Sequence, residues 1–229
     1  MSKVREMFDG VAPRYDLLNH LLSLNLDRRW RRRAVGELGV DPGARVLDLC
    51  GGTGDLSVEV ARHPDPALVV CCDFAHPMLA QAADKFRRRG VAGRCIPLEA
   101  DALALPFSQD NFDAVIVGFG IRNLEDMQAG LQEMRRVLRP GGRLVVLEFS
   151  QPHSRLLSTL YRLYLHRVLP RLGDGVSGRS GPYRYLARTI AGFPEPATLA
   201  GRIREAGFGA CGWTALCGGI VAIHTALRP

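Results

Sequence analysis

Apolar positions change their spacing twice along the chain. Over residues 3–38 they recur at helical intervals, with Leu17, Leu18, Leu21 and Leu22 on one face, and predict two or three short helices. From 45 to 148, short apolar runs alternate with amphipathic stretches of helical length. These runs predict strands near 45–50, 68–73, 94–98, 112–118 and 143–149. Such alternation predicts a doubly wound α/β fold, with a parallel sheet and right-handed crossovers. Pro140-Gly141-Gly142 closes the helix before the last of these strands. Residues 151–190 break the pattern, 195–207 return to a helix, and 211–216 with 220–227 read as a hairpin around Gly218-Gly219.

The first predicted strand carries Val46, Leu47 and Leu49 into Cys50-Gly51-Gly52-Thr53-Gly54-Asp55, and a helix opens at about Leu56. Strand, glycine turn and helix form the first unit of a nucleotide-type fold. A dinucleotide loop needs Gly-x-Gly-x-x-Gly with a diphosphate on the helix N-terminus. Here the third position after Gly54 is Ser57, and Asp55 stands where the diphosphate would lie. Like charges in contact cost on the order of 1 kcal/mol in water and more when desolvated. A cofactor without phosphates, such as S-adenosylmethionine, suits this loop better. The plainer alternative is a glycine turn in which Asp55 caps a helix. Asp73 ends the second predicted strand about 20 residues beyond the glycines, the spacing of a group that accepts from ribose hydroxyls. The third leads into Asp101, which can accept from an adenine amino group with Ala102 beside it.

Composition narrows the class. A chain of 229 residues can form one α/β domain with a substantial core. Formal net charge is +7, almost all of the positive side from arginine, since Lys3 and Lys85 are the only lysines. Six cysteines show no Cys-x-x-Cys pair, and Cys71-Cys72 sit inside a predicted strand. Reduced thiols, a cytoplasmic setting and no zinc site are expected. The N-terminus lacks a signal-peptide core, and no run of ~18 apolar residues suggests a spanning helix.

Several longer stretches carry a family resemblance. They are Met7-Phe8-Asp9 through Arg14-Tyr15-Asp16-Leu17-Leu18-Asn19, Asp27 to Trp30, Leu49 to Asp55, Phe119-Gly120-Ile121-Arg122-Asn123, Leu147-Glu148-Phe149-Ser150, Tyr183 to Leu186, Phe193-Pro194 and Gly218 to His224. Together they resemble the ubiquinone/menaquinone biosynthesis C-methyltransferases, within the class I S-adenosylmethionine-dependent methyltransferases. The Phe-Gly-Ile-Arg-Asn stretch is the specific one; the glycine loop alone says only methyltransferase. The resemblance spans nearly all of the chain and implies a seven-stranded sheet whose last strand is antiparallel. It implies one methyltransferase domain, with 1–40 as a helical cap and 151–190 as a lid over the substrate. The cofactor contacts it implies fall on Thr53, Asp73, Asp101 and Ala102, and Gly51, Gly52, Gly54 and Gly118 are expected to complete the cofactor site. Gly118 replaces a serine often found in its place, and Cys50 replaces the first glycine of the broader methyltransferase loop.

The implied reaction is methylation of a ring carbon on a reduced, lipid-tailed quinone precursor, without a metal. That precursor is demethylmenaquinol, or the ubiquinone precursor 2-methoxy-6-polyprenyl-1,4-benzoquinol. Arg122 follows the fourth predicted strand, at the edge where such folds bind ligands. A guanidinium there can stabilise a phenolate or orient a water, and its pKa is too high for an ordinary base. The alternative is that Arg122 pairs with Glu125 or Asp126, with Asn123 and Asp126 forming a variant capping box. His153, Tyr15 and Asp16 are further candidates for the proton work. An exposed loop position for His153, and a helix-cap or core role for Tyr15 and Asp16, are the alternatives. His166 and His224 are read as structural.

The 151–190 segment holds seven arginines against one acid, Asp174. Leu157, Leu160, Tyr161, Tyr164 and Val168 can share one helical face, with Arg155, Arg162 and His166 on another. A basic amphipathic helix can lie on an anionic bilayer, so peripheral contact at the inner face of the cytoplasmic membrane is one expectation. A solvated face on a lid that never meets lipid is the other. Nucleic acid is not an expected partner, because no RNA-binding module or Asn/Asp-Pro-Pro-Tyr/Phe stretch is present. Another small-molecule or RNA methyltransferase, an inactive binding subunit and a homo-oligomer are the remaining alternatives.

Overall fold

The computed structural model describes residues 15–62, 68–152, 154–169, 171 and 182–229. Helices α1 (Tyr15–Leu22) and α2 (Leu26–Gly36) come first. The alternating part follows as β1 (Arg45–Leu49), α3 (Asp55–Arg62), β2 (Leu68–Asp73), α4 (His76–Arg88), β3 (Cys95–Glu99) and β4 (Phe112–Gly118). A 3-10 turn (Ile121–Asn123), α5 (Met127–Val137) and β5 (Leu138–Phe149) complete it. Then come α6 (Arg155–Leu163) with a π turn (Tyr164–Val168), α7 (Pro182–Ala191), α8 (Pro196–Glu205), β6 (Cys211–Leu216) and β7 (Val221–Leu227).

The seven strands form one sheet in the order β3-β2-β1-β4-β5-β7-β6. β1 to β5 run parallel, while β7 runs antiparallel to both β5 and β6. The expected doubly wound sheet with a reversed last strand is therefore present. β1 lies between β2 and β4, so the connections leave it in opposite directions and open a crevice at the strands' carboxyl ends.

Both faces of the sheet are covered, which is why its central strands read as unbroken apolar runs. On one face Leu47, Leu49, Val115, Val117 and Val146 pack against Leu131 and Met134 of α5 and Leu199 and Ile203 of α8. On the other, Val46, Val69, Ile116 and Val145 meet Trp30 and Val35 of α2, Leu56 of α3 and Phe86 of α4. Tyr161, Leu165, Leu169, Ala187 and Ile190 form a smaller core that joins α6 to α7.

Three local expectations need correction. Pro140-Gly141-Gly142 do not close a helix: α5 already ends at Val137, and these residues lie inside β5. Asn123 does not begin a capping box: Asp126 is itself the N-cap of α5, accepting from the Ala129 amide at 3.0 Å. The intervening Leu124 is extended and separates the 3-10 turn from the helix. The face expected along 155–169 also breaks. Val168 is exposed, and Leu165 and Leu169 are buried instead. The wider i→i+5 turn at Tyr164–Val168 rotates the helix surface and brings different residues inward. Residues 3–14 and His153 lie outside the described residues, as does part of the 151–190 segment.

Candidate functional site

A cavity of about 590 Å3 opens at the carboxyl ends of β1 and β4. Its floor is the loop Cys50–Thr53; its walls are α1, α2, the Gly118–Asn123 segment, α6 and α7. This is the size of a small-molecule site.

The glycine loop is shaped by contacts within the protein. Gly51 N–H donates to the Cys72 carbonyl at 3.0 Å, Gly52 N–H to Asp73 Oδ2 at 2.9 Å and Gly54 N–H to the Gly51 carbonyl at 2.9 Å. These amides are spent, so they do not form the nest of free donors that a diphosphate uses. Gly54 has φ +77°, and a Cβ there would lie 2.6 Å from the Phe86 ring. At Cys50 the chain keeps a left-handed turn, φ +57°, without a glycine. Gly120 accommodates it from the opposite wall, since a Cβ there would come within 2.3 Å of the Cys50 Cβ.

Two buried acids face the loop. Asp73 is held by the amides of Gly52 and Ala75, one on each carboxylate oxygen. A carboxylate accepts hydrogen bonds only, the chemistry that a ribose hydroxyl would meet there. Asp48 lies within β1 and lines the cavity floor; Ser57 Oγ donates to its Oδ2 at 2.6 Å. Burial pushes the Asp48 carboxyl up to about 7, and the Ser57 hydrogen bond only partly offsets this. Asp48 escaped the sequence reading, although an acid inside an apolar strand was visible in the chain. Asp101 sits beyond β3, exposed, accepting from the Leu103 amide at 2.9 Å, and Ala102 beside it is buried in the sheet's core.

Around the loop runs a charged knot. Asp55 at the start of α3 is not the bare charge expected there: Lys85 bonds it directly, and Arg31 lies 3.6 Å away. Burial raises its carboxyl, but Arg31 and Lys85 outweigh that and hold it below the usual carboxylate range. Exclusion of a phosphate therefore rests on the engaged amides of Gly51, Gly52 and Gly54 and on buried Ser57, more than on a naked Asp55. Lys85 also reaches Asp16 at 2.7 Å and Thr53 Oγ1 at 3.2 Å, and Thr53 donates to Asp16 at 2.5 Å. Asp16 thus ties α1 to the loop. Tyr15 opens α1. Lys85 is the second residue that sequence reasoning missed, and its being one of two lysines was the available signal.

Arg122 occupies the 3-10 turn after β4 and reaches the cavity. Its partner is neither Glu125 nor Asp126. The guanidinium bonds Glu148 of β5 at 2.7 Å and the Phe119 carbonyl, and lies 5.4 Å from the centre of the Phe149 ring. The strand register sets this pairing, because Gly118 lies opposite Leu147. Burial raises the Glu148 carboxyl and Arg122 only partly restrains it. Asn123 accepts from the Tyr185 hydroxyl at 3.2 Å, which ties the turn to the lid. Gly118 is part of the cavity wall beside this turn. His224 is buried and donates through Nε2 to the Pro196 carbonyl at 2.9 Å, the structural role expected of it.

The donor set fits S-adenosylmethionine. The amides of Gly51, Gly52 and Gly54 are engaged within the protein, Asp48 Oδ1 is buried without a partner among the described residues and suits a cation, and the Asp73 carboxylate lies against the loop.

The chain is similar to known proteins in sequence and in fold. Over residues 1–228 the chain matches the model of the ubiE/COQ5 methyltransferase family. It is 49% identical to the demethylmenaquinone methyltransferase of Thermus thermophilus, covering 97% of this chain and all of that one. Against the demethylmenaquinone methyltransferase of Mycolicibacterium paratuberculosis it is 48% identical, covering 99% of this chain and 94% of the relative. In fold it is similar to the [4+2]-cyclase SpnF, with a TM-score of 0.66 at 22% identity, covering 99% of this chain and 96% of that one. It is also similar to an S-adenosylmethionine-dependent methyltransferase from Aquifex aeolicus, with a TM-score of 0.61 at 17% identity, covering 87% and 89%. With a match of this length on a fold and a loop of this kind, the chain belongs to the ubiE/COQ5 methyltransferase family and is an S-adenosylmethionine-dependent enzyme.

Proposed function

We propose that the chain methylates a ring carbon of demethylmenaquinol, a reduced quinone with an isoprenoid tail, to give menaquinol. The observation that carries this reading is one continuous cavity shared by the glycine loop, Arg122 and the apolar inner side of α6 and α7. Methyl donor, ring and the first part of a tail have space in one enclosure. Relatives nearly half identical over their full length are demethylmenaquinone methyltransferases, which supports this ring over the benzoquinol precursor.

S-adenosylmethionine supplies a methyl group on a sulfonium, which the ring carbon takes as the carbon–sulfur bond breaks and a thioether leaves. Everything else falls to the chain. Gly51, Gly52, Thr53, Gly54, Asp73 and Asp48 would hold the donor, Asp101 and Ala102 would serve its adenine, and Gly118 would leave space beside it. The ring hydroxyl passes its proton to water; Arg122, held by Glu148, stabilises the phenolate left behind, and that charge makes the ortho carbon nucleophilic. The same guanidinium can orient the water that takes the ring proton. Trp30, Phe119 and Phe149 cluster along the cavity, Trp30 and Phe149 edge to face and the other pairs tilted, and keep bulk water out. Holding carbon and methyl in line is worth up to about 7–11 kcal/mol in model reactions. We read the chain as one methyltransferase domain, with 1–40 as its cap and 151–190 as its lid.

The test supplies the purified protein with trideuteromethyl-labelled S-adenosylmethionine and chemically reduced demethylmenaquinone. A labelled methyl on the quinone ring, read by mass spectrometry, is expected. No product despite calorimetric binding of S-adenosylmethionine would exclude this substrate.

A further inference from the structure

We propose that the Tyr161 hydroxyl, carried on α6, donates a hydrogen bond to the ring oxygen that Arg122 faces, so that the lid completes a two-donor site for the substrate's phenolate. This rests on the substrate reading above.

Three tyrosines from the lid line the cavity, and two of their hydroxyls are already engaged. Tyr164 donates to the Leu22 carbonyl at 2.8 Å, and Tyr185 donates to Asn123 at 3.2 Å. Tyr161 is 8% exposed, and its hydroxyl has no partner among the described residues. Folded proteins seldom bury a hydroxyl without a partner, and such groups call for an explanation. Its surroundings supply one. The charges of both Arg122 and Glu148 act on the Tyr161 phenol, so the three groups share one neighbourhood. Arg122 Nε is likewise buried without a partner among the described residues. Two unspent donors therefore border the same wall, beside a cation already fixed by Glu148.

The chemistry selects what fits there. Burial pushes the Tyr161 phenol above the ordinary tyrosine range, so it stays protonated and acts as a donor, not a base. A donor next to a guanidinium favours an oxygen carrying negative charge, which a ring hydroxyl acquires when it ionises. Because Tyr161 belongs to the small core between α6 and α7, this donor arrives only with the lid in place. Ionisation of the ring is thereby tied to exclusion of water.

Tyr161→Phe removes one oxygen and no packing surface. We expect kcat to fall about 10- to 100-fold, the range for one hydrogen bond to a charged oxygen, with KM changed less than threefold. S-adenosylmethionine affinity should be unchanged by calorimetry. Tm should hold or rise, because an unpaired buried hydroxyl has been deleted. The pH–rate profile should move to higher pH, and a bound nitro-substituted naphthol should show a raised pKa by absorbance. Unchanged turnover and profile in an enzyme active on demethylmenaquinol would overturn the role of Tyr161 alone. A loss of turnover that tracked a falling Tm would assign the hydroxyl to structure and equally overturn it. A wild-type protein that binds S-adenosylmethionine but never methylates this ring fails the substrate reading instead.

Discussion

Asp48 is the carboxyl that folding treats worst. It is fully buried, bonded only by Ser57, and its second oxygen has no partner among the described residues. Its pKa rises from 3.8 to about 7 because burial penalises the charge. Below 3.8 it is protonated in folded and unfolded chains alike. Between 3.8 and 7 the unfolded chain releases the proton while the folded chain keeps it, so stability falls as pH rises through that window. A shift of this size is worth on the order of 4 kcal/mol at its limit. Asp48→Asn should flatten that part of the pH–stability curve in urea titrations. In the same variant, calorimetric affinity for the cationic methyl donor should lose its rise between pH 6 and 8. An unaltered slope would mean the native carboxyl is already ionised at low pH. The residue was open to view in the sequence as an acid among Val46, Leu47 and Leu49, yet the pattern says only that it interrupts a strand. Arg122 was legible by its place after β4, and its partner was not. Glu148 lies 26 residues away, and only strand register joins them.

Among the elements, strands were read to within a residue or two because buried parallel strands are continuous apolar runs with few competing patterns; β5 is the exception, since it starts at Leu138, five residues before its apolar run. The lid was read less well, since helical periodicity assumes 3.6 residues per turn and the Tyr164–Val168 turn departs from it. The joint between α1, α3 and α4 was invisible for a different reason: it centres on one lysine, with His20 of α1 also 3.6 Å from Asp55. Lys85 of α4 contacts Asp16 of α1, Asp55 of α3 and Thr53 of the loop. Replacing one partner of a buried ion pair leaves the other charge desolvated, at about 3–5 kcal/mol. Arg31 remains within 3.6 Å of Asp55, whereas Asp16 is left with the Thr53 hydroxyl, so the cost should sit near the lower end. Lys85→Met is therefore expected to lower the stability measured in denaturant by about 3 kcal/mol. It should also weaken S-adenosylmethionine binding, because the tie between loop and α1 is reduced to the Thr53–Asp16 hydrogen bond. Restored binding at high ligand concentration, with the instability unchanged, would separate the two effects. Full affinity in the variant would show that the knot serves only the fold.

At the scale of the whole molecule, the question is how a substrate with an isoprenoid tail reaches a cavity in a chain whose described helices are all too short or too polar to cross a bilayer. The mouth offers an answer. Leu21 and Leu24 near α1 and Leu160 of α6 line the cavity and are also exposed. Leu156, Leu163 and Leu17 extend the apolar rim outward, with Leu156 72% exposed. Arg155 and Arg162, both exposed, flank it on α6. Leucines that enter the acyl boundary, with arginines at the headgroup level, are the arrangement of an interfacial helix. Each arginine near an anionic surface adds about 1 kcal/mol, and salt screens it. We expect the protein to float with vesicles containing anionic lipid and to release them as salt rises. Leu156→Glu with Leu163→Glu, neither of them in the cavity wall, should abolish flotation. The same pair should raise KM for long-tailed quinol presented in vesicles while leaving turnover of a short-tailed analogue in detergent unchanged. Sequence alone could show that 151–190 is basic, and charge counting cannot tell a solvated face from a docking one. The difference lies in the exposed leucines standing beside those arginines. A wild-type protein that stayed in the unbound fraction at low salt would leave that rim as a solvent-facing edge, and the tail would have to be delivered by a carrier.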